Sequence, residues 1–391
     1  MKRRVLVVAI LLPLTVGTLA WSSMEDVYKL GSERSVPVHL KDGEEYRMTP
    51  NQLVAFGLKL FEANWTDQDG GGRPLMKGTG KQLSDPSSPL VGSRAFNRIS
   101  GPDANSCYGC HNEPFGIPGG HGDFATNVFV LGQRFDFVTF DPSDTRAVRG
   151  TRDERQHPIT LSSVGNLRSS TSMFGSGYVE MLAREITEDL QTIRNTAVIG
   201  GPKKHLVSKG ISFGWISRNK DATWNVSEVE GLPRASLLAP TPLDPPSLVV
   251  RPWHQASNVV SLREFTNNAL VQHHGIQTTE RFGLDTDLDG DGITNEMTRA
   301  DVTALVFFQA AMAVPGRVIP NDPAVERAVA DGEQVFSKIG CAVCHVPSLP
   351  LEKRDWVFME PNPFNPSANL RRGDAPDLGL DLTDPDRKSV V

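Results

Sequence analysis

Cysteine is scarce in this chain: four among 391 residues, enough for at most two disulfides in three connectivities. Long apolar runs are lacking too. Beyond the first twenty residues no segment is long and apolar enough to cross a bilayer. Basic charge is not in excess, since 40 Lys and Arg stand against 46 Asp and Glu for a formal net charge of −6. That balance argues against nucleic acid as a partner. A charged fraction of 22% beside 39% hydrophobic residues excludes a disordered chain or a multi-span membrane protein and supplies core for one large domain or two to three ordinary ones. What is plentiful is turn chemistry, with 35 glycines and 28 prolines, so much loop is expected beside the regular core.

The N-terminus reads as an export signal over residues 1–20. Lys2, Arg3 and Arg4 form a positive n-region, Val5 to Val16 an apolar core, and Gly17-Thr18-Leu19-Ala20 a small-residue cleavage site. The apolar stretch is short for a span, which needs about 20 residues. Cleavage after Ala20 would remove three basic residues and take the net charge from −6 to −9. An uncleaved anchor is the competing reading. The expectation is a soluble periplasmic or otherwise exported protein with no stable membrane span.

Export invites a disulfide reading, but the cysteine positions argue otherwise. Cys107-Tyr108-Gly109-Cys110-His111 and Cys341-Ala342-Val343-Cys344-His345 use all four cysteines, each pair followed at once by histidine. C-x-x-C-H is the attachment pattern for c-type haem: the two sulfurs reach the vinyl groups of one porphyrin and the adjacent imidazole lies under the iron. A zinc site would want its two knuckles roughly 15–20 residues apart, and more than two hundred residues separate these. A thioredoxin-like pair explains one motif but neither histidine. Two short-range disulfides are the last competitor. Each histidine is expected to donate its other ring nitrogen to a carbonyl, for which turns at Pro114 and Pro347 are candidates.

The flanks of the two motifs suggest a repeat. Helical periodicity over Gln52 to Asn64 carries Val54, Gly57, Leu58 and Phe61; over Ala324 to Ile339 it carries Val325, Ala328, Val329, Gly332, Val335 and Phe336. Both stretches contain Gly-x-x-x-Phe, a small residue one turn before an aromatic, which lets another helix approach closely. Each reads as the first helix of a cytochrome c-like domain. Phe336 precedes Cys341 by five residues whereas Phe61 precedes Cys107 by 46, so the first domain carries an insertion.

Between the motifs, residues 285–296 fit the calcium-loop template, with Asp285, Asp287, Asp289, Gly290 and Glu296 in place. Asp291 permits a second register, and a merely solvated acidic turn is the bland alternative. Ser261-Leu262-Arg263-Glu264 is a capping box opening a helix with Leu262, Phe265, Ala269 and Leu270 on one side. Its end carries His273-His274-Gly275, with Gly275 as terminator. The two histidines are candidates for iron ligation or for assisting peroxide cleavage; helix capping or ordinary packing is the default. Val302, Leu305, Val306, Phe308 and Met312 mark a further apolar helix before Pro315.

Taken together these segments resemble the bacterial di-haem oxidoreductases, sometimes described as thiol oxidoreductases, which are relatives of the di-haem cytochrome c peroxidases. The similarity covers roughly residues 45–370. It rests on both haem motifs, Met173 to Glu180, Ser261 to Phe265 running into His273-His274-Gly275, the acidic loop, and Ala310 to Arg317. It implies two haem c groups in cytochrome c-like domains, electrons passing between them, and a calcium ion near the domain interface. The expected fold is mainly α: an N-terminal haem domain over 45–320 with insertions and the acidic loop, and a C-terminal cytochrome c-like domain over 321–391. The second is expected to be incomplete, because the 46 residues after His345 show no apolar helical period and Met359 is too near His345 to wrap across a porphyrin.

Two functions are compatible with these residues. The first is a peroxidase-type oxidoreductase, drawing on a small redox protein and reducing peroxide or a similar oxidant, with His273 or His274 as acid–base group. The second is a di-haem carrier without turnover. A maturation factor for another exported protein is a third reading. Trp215, Trp224, Trp253 and Trp356 are equal candidates for an inter-haem relay or for plain core packing.

Overall fold

The computed structural model describes residues 31–71, 106–113, 116–122, 128–130, 166–168, 170–253, 257, 259–287, 291–315, 320–352 and 356–383. The export segment, Pro114 and Asp289 lie outside them. Helix accounts for 38% of the structure and strand for 14%. The mainly helical expectation therefore holds only coarsely, because three small antiparallel sheets accompany the helices.

Helix α1 spans Pro50–Glu62 and starts as its sequence dictates. Thr49 and Gln52 form a reciprocal capping box, and Pro50 occupies the first turn where no amide is needed. Its apolar face, Leu53, Val54, Gly57, Leu60 and Phe61, is buried. A single turn, α2, covers Cys107–Cys110. Strands β1 (Val128–Val130) and β2 (Asn166–Arg168) pair antiparallel. Helix α3, Ser176–Asn195, begins after Gly175, whose positive φ turns the chain into it.

The second half of α3 carries a lobe of its own. Strands β3 (Lys204–Ser208), β4 (Ile211–Arg218) and β5 (Trp224–Val229) form a sheet in sequence order. Ile186 and Leu190 of α3 pack with Leu206, Phe213, Ile216 and Leu248 into a small separate core. Sequence periodicity does not reveal these strands because their alternation is short and broken. Gly214 at φ 74 bulges β4 where an added Cβ would lie 1.9 Å from the Glu228 carbonyl oxygen.

The main core is built on the later helices. A short helix, α4, covers Arg234–Leu237. Helix α5 (Leu262–Ala269) is capped by Ser261, which accepts the Glu264 amide; the other half of the capping box is not formed, because the Glu264 carboxylate accepts the Val260 amide. It runs into a π-turn at Leu270–His274 that Gly275 closes at φ 73. After the short α6, Thr279–Phe282, helix α7 spans Arg299–Ala311 and is buried from Ala300 to Ala310. Two glycines let neighbouring helices touch its backbone. An added Cβ on Gly57 of α1 would lie 2.1 Å from the Ala304 carbonyl oxygen, and one on Gly177 of α3 would lie 2.3 Å from that of Ala310.

Past α7 the chain leaves this core. Helix α8, Pro323–Lys338, is capped by Asp322 and buries none of its residues. The second cysteine motif comes next, in a 3-10 turn at Cys341–Val343. The chain then returns to the body. Glu185 accepts the Glu352 amide, and it also pairs at 2.7 Å with Lys209, a lysine whose side chain is wholly enclosed. Burial alone would lower the Lys209 pKa, but Glu185 and Glu352 together hold it above its ordinary value. Strands β6 (Val357–Glu360) and β7 (Leu378–Asp381) close the fold as an antiparallel pair, with Phe358 and Leu380 in the main core. The segment without a helical period thus contributes core residues as strands.

Candidate haem-binding turns and the histidine pair

Both C-x-x-C-H motifs fold into one tight turn. The His111 amide donates to the Cys107 carbonyl at 3.0 Å, and the His345 amide to that of Cys341 at 2.9 Å. Each histidine also faces the aromatic residue of its preceding helix. Phe61 and His111 have ring centroids 6.4 Å apart, and Phe336 and His345 5.9 Å apart. The Gly-x-x-x-Phe repeat read from the sequence therefore delivers the same element, a ring beside the motif histidine, in both halves.

The first turn packs against the body, with Cys107, Cys110 and His111 all half-buried. Residues 111–113 and 116–121 fold back on each other: the Asn112 and Glu113 amides donate to the His121 carbonyl, and the Gly119 amide to that of His111. This aims the Gly120 carbonyl at His111 Nδ1, 3.3 Å away. A carbonyl only accepts, so this hydrogen bond is made by the tautomer with its proton on Nδ1, which leaves the Nε2 lone pair for a ligand. The carbonyl partner expected for this histidine exists, supplied by Gly120 at the end of the turn Ile117-Pro118-Gly119-Gly120. Only glycine fits at that position, where a Cβ would stand 1.6 Å from the Glu113 carbonyl oxygen. Burial pushes the His111 pKa down to about 4, against the opposing pull of the Gly120 and Thr171 carbonyls. At neutral pH the ring is the neutral, ligating form. Burial, with Cys110 beside it, pushes the Cys107 thiol up to about 12.

The histidine pair reaches this same turn. His274 is buried, and its Nε2 lies 3.5 Å from Cys107 Sγ. His273 is half-buried, with its ring centroid 6.4 Å from that of His274. Sequence alone does not connect residues so far apart in the chain. Met173 and Met312, which the sequence placed only in a family-like segment and on an apolar helix, are neighbours as well. The Met173 amide donates to the Gly119 carbonyl, and the Met312 side chain packs against Gly119 itself. The Gly119-Gly120 pair was the available signal.

The second turn differs in setting. Cys341 is half-buried, Cys344 and His345 are exposed, and so are Phe336 and Ile339 of the preceding helix. Where Gly57 touches α7, an added Cβ on Gly332 would meet nothing within 4 Å.

The acidic loop is engaged mostly with its own backbone. Asp287 accepts the amides of Asp291 and Gly292, Asp285 and Asn295 pair with each other, and buried Glu296 accepts the Gln277 amide at 2.6 Å. Among the described residues no three His, Cys, Asp or Glu side chains gather to hold a metal ion. Burial raises the Asp291 pKa, with Asp287 and Asp67 adding to the effect. Its Oδ2 has no hydrogen-bond donor among the described residues.

No described helix is long and apolar enough to cross a membrane. Comparison with protein-family models, with curated proteins and with solved structures gave no match.

Proposed function

We propose that this chain is an exported, periplasmic di-haem c-type oxidoreductase of two cytochrome c-like domains. It passes electrons from a small redox protein between two haems to reduce peroxide or a similar small oxidant. The observation that carries this reading is the matched pair of turns, each closing C-x-x-C-H with its histidine beside a helix-borne phenylalanine. When bound, haem would supply a one-electron iron centre able to exchange electrons with a partner and with a small oxidant.

The chain's own residues fit that group. Cys107 with Cys110, and Cys341 with Cys344, are the thioether donors. His111 is held neutral with Nε2 directed away from the Gly120 carbonyl, and His345 is the corresponding residue of the second motif. Reducing one peroxide to two waters consumes two electrons and two protons, so a proton-handling side chain beside a haem is required. His274, touching Cys107, and the neighbouring His273 take that role. A calcium ion at 285–296 is part of the proposal, supported by the match of that segment to the calcium-loop template.

Spin-state spectroscopy of the holo-protein tests the reading. A high-spin haem, with peroxide-dependent oxidation of a reduced cytochrome that disappears in a His273→Ala/His274→Ala double variant, is the expected result. Two low-spin haems inert to peroxide would leave a carrier in place of an enzyme.

A further inference from the structure

The returning strand β6 ends in a buried ion cluster that the proposed redox chemistry does not use. Glu360 faces Arg184 and Glu180 of α3, Arg263 of α5 and Glu280 of α6, and no side chain of the five is more than 4% exposed. The bonds are unequally shared. Arg263 donates to Glu280 through Nε at 2.9 and 3.0 Å and through Nη2 at 2.5 Å, and Arg184 donates to Glu180. Glu360 receives only the longer contacts, 3.4 Å from Arg263 and 3.3 Å from Arg184.

The other two carboxylates have further donors. Glu180 accepts Asn362 Nδ2 at 2.6 Å and the Leu262 amide at 2.7 Å. Glu280 accepts the Leu370 amide at 2.8 Å and Asn267 Nδ2 at 3.2 Å. Three carboxylates therefore share an enclosed space in which Arg184 and Arg263 are the guanidiniums that face Glu360; Arg281 adds its charge on the Glu280 side, so Glu360 is the least supplied of the three.

We propose that Glu360 is a proton-operated latch: protonated, it keeps the β6–β7 pair docked in the body, and on losing that proton it loosens the pair and the arm bearing the second cysteine turn. The lever arm is short. Phe358, two residues earlier, meets Phe307 of α7 edge-on at 6.3 Å and lies under the Arg184 guanidinium. On the other side, the strand begins where Trp356 meets Tyr178 of α3. Burial pushes the Glu360 pKa up to about 7, with Glu180 and Glu280 raising it and the two arginines opposing. A carboxyl raised in the folded state contributes stability that is fully present below its unfolded pKa. That contribution is lost as pH rises through 7.

Hydrogen–deuterium exchange on the holo-protein tests this, following peptides that span 356–361 and 378–382 at pH 6 and pH 8 after correction for intrinsic rates. Their protection is expected to fall roughly tenfold at the higher pH, the ratio for one proton lost across that range, while α7 stays unchanged. Glu360→Gln, a neutral isostere, should give equal protection at both pH values, as should Glu180→Gln, which removes a facing negative charge without touching β6. A pH-independent wild type, or a step that survives in a folded variant of either kind, would overturn the proposal.

Discussion

His274 meets Cys107 because a π-turn, not a plain α-helical end, carries α5 to Gly275. The extra residue in that turn rotates the chain beyond it, and such turns concentrate at functional positions. If His274 moves protons for peroxide, His274→Ala should lower kcat/KM by about 10²- to 10⁴-fold and remove one limb of the pH–rate profile. A change in KM alone, with the profile intact, would return the residue to packing. At Asp291 the expected readout is stability. Millimolar calcium should raise Tm of the wild type, and Asp291→Asn should lose most of that gain; an equal Tm with and without calcium in the wild type would remove the ion from the account.

Among elements, α1 and α8 are two copies of one pattern in two surroundings. Gly57 lies against the α7 backbone, whereas an added Cβ on Gly332 would meet no neighbour. Gly57→Ala should therefore destabilise the protein by about 1–3 kcal/mol through overpacking. Gly332→Ala should raise helix stability by about 0.5–1 kcal/mol. Denaturant melts of the two variants give opposite signs on this account, and a loss of similar size in both would contradict it. Helix positions were legible from the apolar period over Gln52–Asn64 and Ala324–Ile339 and, at Ser261 with Glu264, from a cap. The β3–β5 lobe was not, since its order comes from packing on α3 and from a bulge at Gly214, neither of which leaves a local period.

At the scale of the molecule, the two haem motifs stand in unlike places. One packs against the body, with a carbonyl set on its histidine and two further histidines at its edge. The other is carried on a helix with no buried residue, anchored where Glu185 accepts the Glu352 amide and where Phe358 enters the core. The sequence pattern showed both turns because each depends on close spacing, and the repeated Gly-x-x-x-Phe pointed to the two phenylalanines. It did not show the Gly120 carbonyl, which a local fold-back sets, or the approach of His274 and the burial of Glu360, which depend on contacts between distant segments.

The central claim is covalent haem at both turns, and intact-mass spectrometry of the exported protein under denaturing conditions addresses it most directly. The account predicts a mass above the processed polypeptide by two haem groups, falling to one in a Cys107→Ala/Cys110→Ala variant and to one in a Cys341→Ala/Cys344→Ala variant. A chain produced in a host that attaches haem c, yet carrying none and showing two Cys-x-x-Cys disulfides in its place, would contradict it.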